Sequence, residues 1–176
     1  MLVAGEASGD MHGAHLARAI REKSPGVRLF GMGGSLMERA GVELLYNPTS
    51  ISAMGFLEVL KNVQVFRRLL ARLGDVLAKE RPDVLVLIDF PEFNMRLASL
   101  ATEHGIPAVY YFSPSAWAWR KGRAKMIAEQ GATVCAVFPF EADVYREAGA
   151  RVAFVGHPLV DIVKPSAGRD ELRAEF

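Results

Sequence analysis

Short, almost purely apolar runs recur along the chain, separated by longer stretches with helical periodicity. The runs lie at 2–4, 27–30, 84–88, 108–112, 133–138 and 151–155, and the helical stretches at about 10–23, 35–41, 54–80, 93–104, 120–130 and 140–148. A strand covered on both faces shows no polar alternation. Runs such as Val84-Leu85-Val86-Leu87-Ile88 therefore read as interior strands of a parallel sheet, with the helices as its crossovers. Their regular alternation predicts an α/β fold, a doubly wound parallel sheet with right-handed connections. Ligands in such sheets bind beyond the carboxyl ends of the strands. Functional residues are therefore expected at 5–10, 31–34, 89–94, 113–120, 139–141 and 156–158.

The stretch 54–80 carries more apolar residues than one helix face needs. At about 100° per residue, Phe56, Val59, Leu60, Val63, Phe66, Leu70, Leu73 and Leu77 form a stripe expected to face the core. Leu57, Val65, Leu69 and Val76 fall off that stripe, beside Lys61, Arg68 and Arg72. Apolar side chains interleaved with basic ones on an outward face suit an anionic membrane surface. The pattern predicts membrane contact through Leu57, Lys61, Val65, Arg68, Leu69 and Arg72; the alternative is that neighbouring elements cover this second face.

Composition narrows the picture further. With 176 residues, 51% hydrophobic and 23% charged, the chain suffices for one packed domain. A formal net charge of +1 gives no bulk attraction to nucleic acid, and no such partner is expected. The single cysteine, Cys135, excludes an internal disulfide and, inside an apolar run, reads as a buried thiol. No uncharged apolar run reaches the roughly 18 residues of a membrane span, so the chain is expected to be neither exported nor membrane-spanning.

Candidate chemistry sits in the loops. At the start, Gly5-Glu6-Ala7-Ser8-Gly9-Asp10 turns a strand into a helix. Its glycines allow a tight turn and close backbone approach, and Ser8 or Asp10 is expected to cap the helix. The helix N-terminus then suits a phosphate or sugar hydroxyl, although a plain capped turn would use the same residues. The loop is neither the dinucleotide fingerprint nor a P-loop, which argues against NAD and ATP, and no cofactor is expected. Asp89 ends the 84–88 run beside apolar walls, a position suited to a general base or to capping its own loop, and Pro91 is expected to delay the next helix. Glu92 is expected to face solvent. Further on, Ser113-Pro114-Ser115-Ala116-Trp117-Ala118-Trp119-Arg120 places aromatic faces that stack on sugar rings beside an arginine that grips phosphate. Of the histidines, His157 follows a strand and falls in the expected crevice. His12, His15 and His104 carry no particular signal, and no spacing suggests a metal site.

Five stretches, in this order, resemble the lipid-A-disaccharide synthase family. They are Gly5-Glu6-Ala7-Ser8-Gly9-Asp10, Met54-Gly55-Phe56-Leu57-Glu58-Val59-Leu60, Ile88-Asp89-Phe90-Pro91-Glu92-Phe93-Asn94, the Ser113–Arg120 loop and Gly156-His157-Pro158. The resemblance covers the whole chain but only the amino-terminal half of the family. It implies a GT-B inverting glycosyltransferase with two Rossmann-like domains. Such an enzyme joins UDP-2,3-diacylglucosamine to 2,3-diacylglucosamine 1-phosphate, giving the β-1,6 disaccharide of lipid A and UDP. It further implies Asp89 as the base. Gly5, Glu6, Ser8, Gly9, Asp10, Asn94, Ser113, Ser115, Trp117, Trp119, Arg120 and His157 are then the substrate-binding candidates. Residues 1–160 would form the acceptor-side domain, and 161–176 the start of a linker to a UDP-binding domain, so that this piece alone would be inactive. The expected location is cytoplasmic, peripheral on the inner membrane of a Gram-negative bacterium. Competing readings are another GT-B sugar-nucleotide enzyme and a non-catalytic, Rossmann-like lipid-binding module.

Overall fold

A computed structural model describes residues 1–48, 63–114 and 121–163. In chain order the elements are β1 (Leu2–Ala4), α1 (Ala7–Lys23), β2 (Phe30–Met32), α2 (Ser35–Arg39), β3 (Glu43–Tyr46), α3 (Val63–Glu80), β4 (Leu85–Ile88), α4 (Pro91–Glu103), β5 (Ala108–Tyr111), α5 (Lys121–Glu129), β6 (Thr133–Ala136), α6 (Pro139–Glu147), β7 (Arg151–Phe154) and α7 (Leu159–Ile162). The seven strands form one sheet in the order β3-β2-β1-β4-β5-β6-β7. Every pairing is parallel. This is the doubly wound, Rossmann-like α/β arrangement the apolar runs predict. The winding reverses between β1 and β4, and that switch point is where a ligand crevice opens.

Alternate strand residues feed two cores. Leu2, Ala4, Val86 and Ile88 pack with Ala14 and Ala17 of α1 and Met37 of α2. Val3, Leu85, Leu87, Tyr110, Val134 and Ala136 pack on the opposite face with residues of α3 to α6. Between β1 and β2 the backbones approach so closely at Gly31 (φ +149°) that a Cβ there would lie 1.9 Å from the Leu2 carbonyl oxygen, so only glycine fits.

Several boundaries differ from expectation. The second strand runs over Phe30–Met32 in place of 27–30, because the pairing with β1 is made at Gly31 and Met32. The four-residue β3, Glu43-Leu44-Leu45-Tyr46, is an edge strand with alternating exposure, which a search for doubly buried strands passes over. Pro91 does not delay α4 but begins it, since proline's fixed φ and missing N–H suit the first helical position. Cys135 is half-buried and not enclosed as expected. Partial burial nonetheless raises its thiol pKa above the ordinary value, disfavouring the reactive thiolate.

The larger correction concerns α3. Its inward row is Leu69, Leu73 and Leu77, one residue per turn, with Phe66, Leu70 and Val76 partly buried alongside. Leu69, expected on the membrane face, is only 5% exposed and belongs to the core, whereas Val63, expected in the core stripe, is 65% exposed. The physical reason is where α4 lies. Phe66 is the first side chain of the row to meet it, ring edge on Phe93 at 5.3 Å, and Val63 sits a turn ahead of that contact. Val65 is half-buried, while Arg68 and Arg72 are exposed. Leu57 and Lys61, with the rest of 54–62, lie outside the described residues. Leu77→Ala is therefore expected to cost about 2–5 kcal/mol and Val63→Ser less than ~0.5 kcal/mol, measured by urea unfolding. Equal losses would restore the original stripe. Among the described residues no helix is long and apolar enough to cross a membrane.

Candidate active site

Two turns flank the switch point. After β1 the chain passes through Gly5 and Glu6 into α1, and after β4 through Asp89 and Phe90 into α4. A Cβ on Gly5 would fall 2.4 Å from the Phe90 ring, and one on Gly9 3.2 Å from the Ala4 side chain. Both glycines therefore let the two turns and α1 close up on each other. Asp10 N–H is the first amide to bond within α1, to the Glu6 carbonyl at 2.9 Å. The amides of Ala7, Ser8 and Gly9 have no intrahelical partner, so the positive end of a 17-residue helix opens at the crevice.

Asp89 and Phe90 both occupy left-handed backbone, with φ +51° and +52°, and Phe112 at the tip of β5 does so at +58°. Bulky residues adopt this conformation only where the surroundings over-determine it. Here the Asp89 N–H donates to the Phe112 carbonyl at 3.2 Å, and Asn94 Nδ2 donates to the Asp89 carbonyl at 2.6 Å. Among the described residues, the hydrogen bonds of Asp89 are all made by its backbone, so the half-buried carboxylate is left for another partner. Glu6 lies close enough that partial desolvation and the Asp89 charge raise its carboxyl pKa above the ordinary range.

A chain of ring contacts runs from α1 along the carboxyl edge of the sheet. His12 stacks on Phe112 at 3.9 Å, Phe112 meets His157 edge-on at 5.4 Å, His157 lies 5.5 Å from Phe138, and Phe138 stacks on Phe140 at 5.4 Å. His157 Nδ1 accepts the Leu159 N–H at 3.2 Å, which leaves Nε2 as its protonated nitrogen in the neutral form.

Other candidates prove to be anchors. Asp10 does not cap α1. It is 4% exposed, and its carboxylate accepts the N–H groups of Gly34 and Met37 on Oδ1 and of Leu36 on Oδ2, so that it caps α2. Ser8 does not cap α1 either; it is exposed inside the first turn, and the N-cap position belongs to Glu6 without a side-chain cap bond. Asn94 is fully buried and acts on the Asp89 turn from behind. Ser113 donates to Glu141 at 2.6 Å; Glu141 also accepts the Val137 N–H, and Tyr145 O–H donates to the Pro114 carbonyl. That network fixes the start of the 113–120 loop. Glu92 is exposed and ion-paired with Arg123. Ser115, Trp117, Trp119 and Arg120 lie outside the described residues. No group of three or more metal-ligating side chains occurs among the described residues.

The structure thus brings Glu6 close to Asp89 and links His157 to that turn through His12 and Phe112, which sequence reasoning passed over. His12 sits two residues after Asp10, mid-helix, and only the β5 tip packed against it makes it a crevice residue. The chemistry available is proton acceptance by Asp89 beside a helix N-terminus, with aromatic faces along one wall.

Comparison with known proteins identifies the family. A model of the lipid-A-disaccharide synthetase family matches residues 1–176. The chain is 48% identical over 176 residues to a lipid-A-disaccharide synthase of Geobacter sulfurreducens, covering all of this chain and 46% of that protein. It is 43% identical to one from Syntrophus aciditrophicus, again over all of this chain and 46% of the relative. To one from Coxiella burnetii it is 40% identical, over all of this chain and 47% of the relative. The chain spans about half the length of the curated relatives it matches, and over that span it belongs to the lipid-A-disaccharide synthase family.

Proposed function

We propose that the full-length protein is an inverting glycosyltransferase. It joins UDP-2,3-diacylglucosamine to 2,3-diacylglucosamine 1-phosphate, releasing UDP and forming the β-1,6 disaccharide of lipid A. The observation that carries the reading is Asp89, held by strained backbone at the switch point with its carboxylate unclaimed among the described residues. In this reading the carboxylate takes the acceptor hydroxyl proton as that oxygen attacks the anomeric carbon opposite the departing UDP. The α1 N-terminus favours an anionic or hydroxyl group alongside, and the His157 and Phe138 rings offer faces for a sugar to stack on. The donor's nucleotide is left to the part of the protein outside this chain. Ser115, Trp117, Trp119 and Arg120 remain substrate-binding candidates within this proposal.

Acylated substrates place the enzyme at a bilayer, on the inner face of the cytoplasmic membrane of a Gram-negative bacterium. Support comes from Arg67, Arg68 and Arg72, exposed on α3 and each expected to add roughly 1 kcal/mol of attraction to anionic lipid. The test is disaccharide formation by full-length protein with both lipid substrates in mixed micelles, together with sedimentation on vesicles. Product formation by the full chain and none by residues 1–176 is expected, because the cleft needs both walls. Binding should favour anionic over zwitterionic vesicles and weaken when the three arginines become serine. A full-length protein without transferase activity overturns the functional reading, and indifference to lipid charge overturns the membrane one.

A further inference from the structure

His12 takes no part in the proposed reaction, yet it is 7% exposed and its Nδ1 is buried with no hydrogen-bond partner among the described residues. A hydrocarbon ring would make the same stack on Phe112 without burying an unpaired nitrogen. Besides the stack, which a phenyl ring could also make, the imidazole brings a protonation state. Its stacking partner is not an ordinary core residue. Phe112 is one of the left-handed residues at the crevice, and its carbonyl accepts the Asp89 N–H. Phe112 thus joins the His12 ring to the turn that presents the carboxylate.

We infer that His12 is a positioning residue for Asp89, acting through the ring of Phe112 and through its own uncharged imidazole. The inference rests on the proposed role of Asp89 as base. The titratable groups facing His12 are His157 beyond β7, His15 on its own helix and Asp89 at the tip of β4, with Glu6 next to Asp89. Burial and the two neighbouring histidines disfavour a charge on His12, and only Asp89 favours one, so its pKa lies below the ordinary imidazole value. Above that lowered pKa the ring is neutral and leaves the Asp89 carboxylate unpaired. Below it, the ring carries a charge near the Asp89 turn, the one charge there that Asp89 favours. The edge contact with His157 at 6.2 Å links this setting to the opposite wall of the crevice.

The experiment uses the full-length protein with three variants, His12→Ala, His12→Phe and Asp89→Asn, each checked for folding by near-ultraviolet circular dichroism. His12→Ala removes the stack and is expected to lower kcat by roughly 10–100-fold with KM changing less than about threefold, the signature of a misplaced base and not of lost binding. His12→Phe restores the stack and should recover much of that loss, while the acid limb of its pH profile departs from that of the parent. In histidine-labelled protein followed by NMR, Asp89→Asn should move the His12 titration midpoint down, because it removes the one neighbour that favours the charged ring. The inference is overturned if His12→Ala matches the parent, if His12→Phe is as poor as His12→Ala, or if the His12 midpoint ignores Asp89→Asn. A parent enzyme with no transferase activity would defeat the functional reading by itself, and the NMR arm would still decide the coupling.

Discussion

Asp89→Asn in the full-length protein is expected to fold as the parent does and to lose at least about 100-fold in turnover, the usual scale for removing a general base. The two halves of that expectation have separate grounds. Folding should survive because the Asp89 contacts are backbone ones: its N–H to Phe112 O and its carbonyl from Asn94 Nδ2 are untouched by the change. Asparagine also tolerates left-handed backbone at φ +51° better than almost any other replacement. Activity should fall because an amide of the same shape cannot take a proton from the acceptor hydroxyl. Steady-state kinetics with a parallel thermal melt checks both. A folded variant with near-parental turnover would remove Asp89 from the mechanism.

The largest stability effect is expected at Asp10, a residue whose motif position suggested substrate. Three backbone N–H groups from the start of α2 converge on its buried carboxylate, at 2.8, 3.1 and 3.0 Å. Removing the acceptor strands these donors where water has poor access, so Asp10→Ala should cost about 3–5 kcal/mol. For a domain of this size that corresponds to a fall in Tm of roughly 10 °C. Asp10→Asn should fall between the two, since its amide oxygen can keep Gly34 and Met37 while its NH2 group faces the Leu36 N–H. Thermal melts of the three proteins in the order Asp, Asn, Ala would support this cap. An Asp10→Ala protein that melts like the parent but loses substrate affinity would return Asp10 to the binding site.

The two residues show what separates the legible from the hidden. The strand-tip position of Asp89 was recoverable because its signal is local: a carboxylate directly after a doubly buried run sits where ligands bind in sheets of this kind. Asp10 looked the same, a carboxylate in the loop after a strand, but its partners are backbone N–H groups 24 and more positions later, at the start of the helix beside it on the same face of the sheet, and no short pattern announces that pairing. His12 was invisible for a related reason. A histidine on a helix acquires meaning only from what packs on it, and here that is the strained tip of β5.

The sequence by itself determined most of the sheet, its parallel sense and the family. All of these follow from apolar runs, helical periods and short motifs read within one element at a time. Tertiary structure alone decided which face of α3 is core, and it turned Leu69 inward and Val63 outward because α4 occupies one side of the helix. It decided likewise that Asp10 caps α2 and that His12 meets Phe112. The physical reason is common to all three. Burial and hydrogen-bond partners are properties of neighbours brought together by crossovers, and side-chain periodicity specifies that a face is apolar without specifying what will cover it.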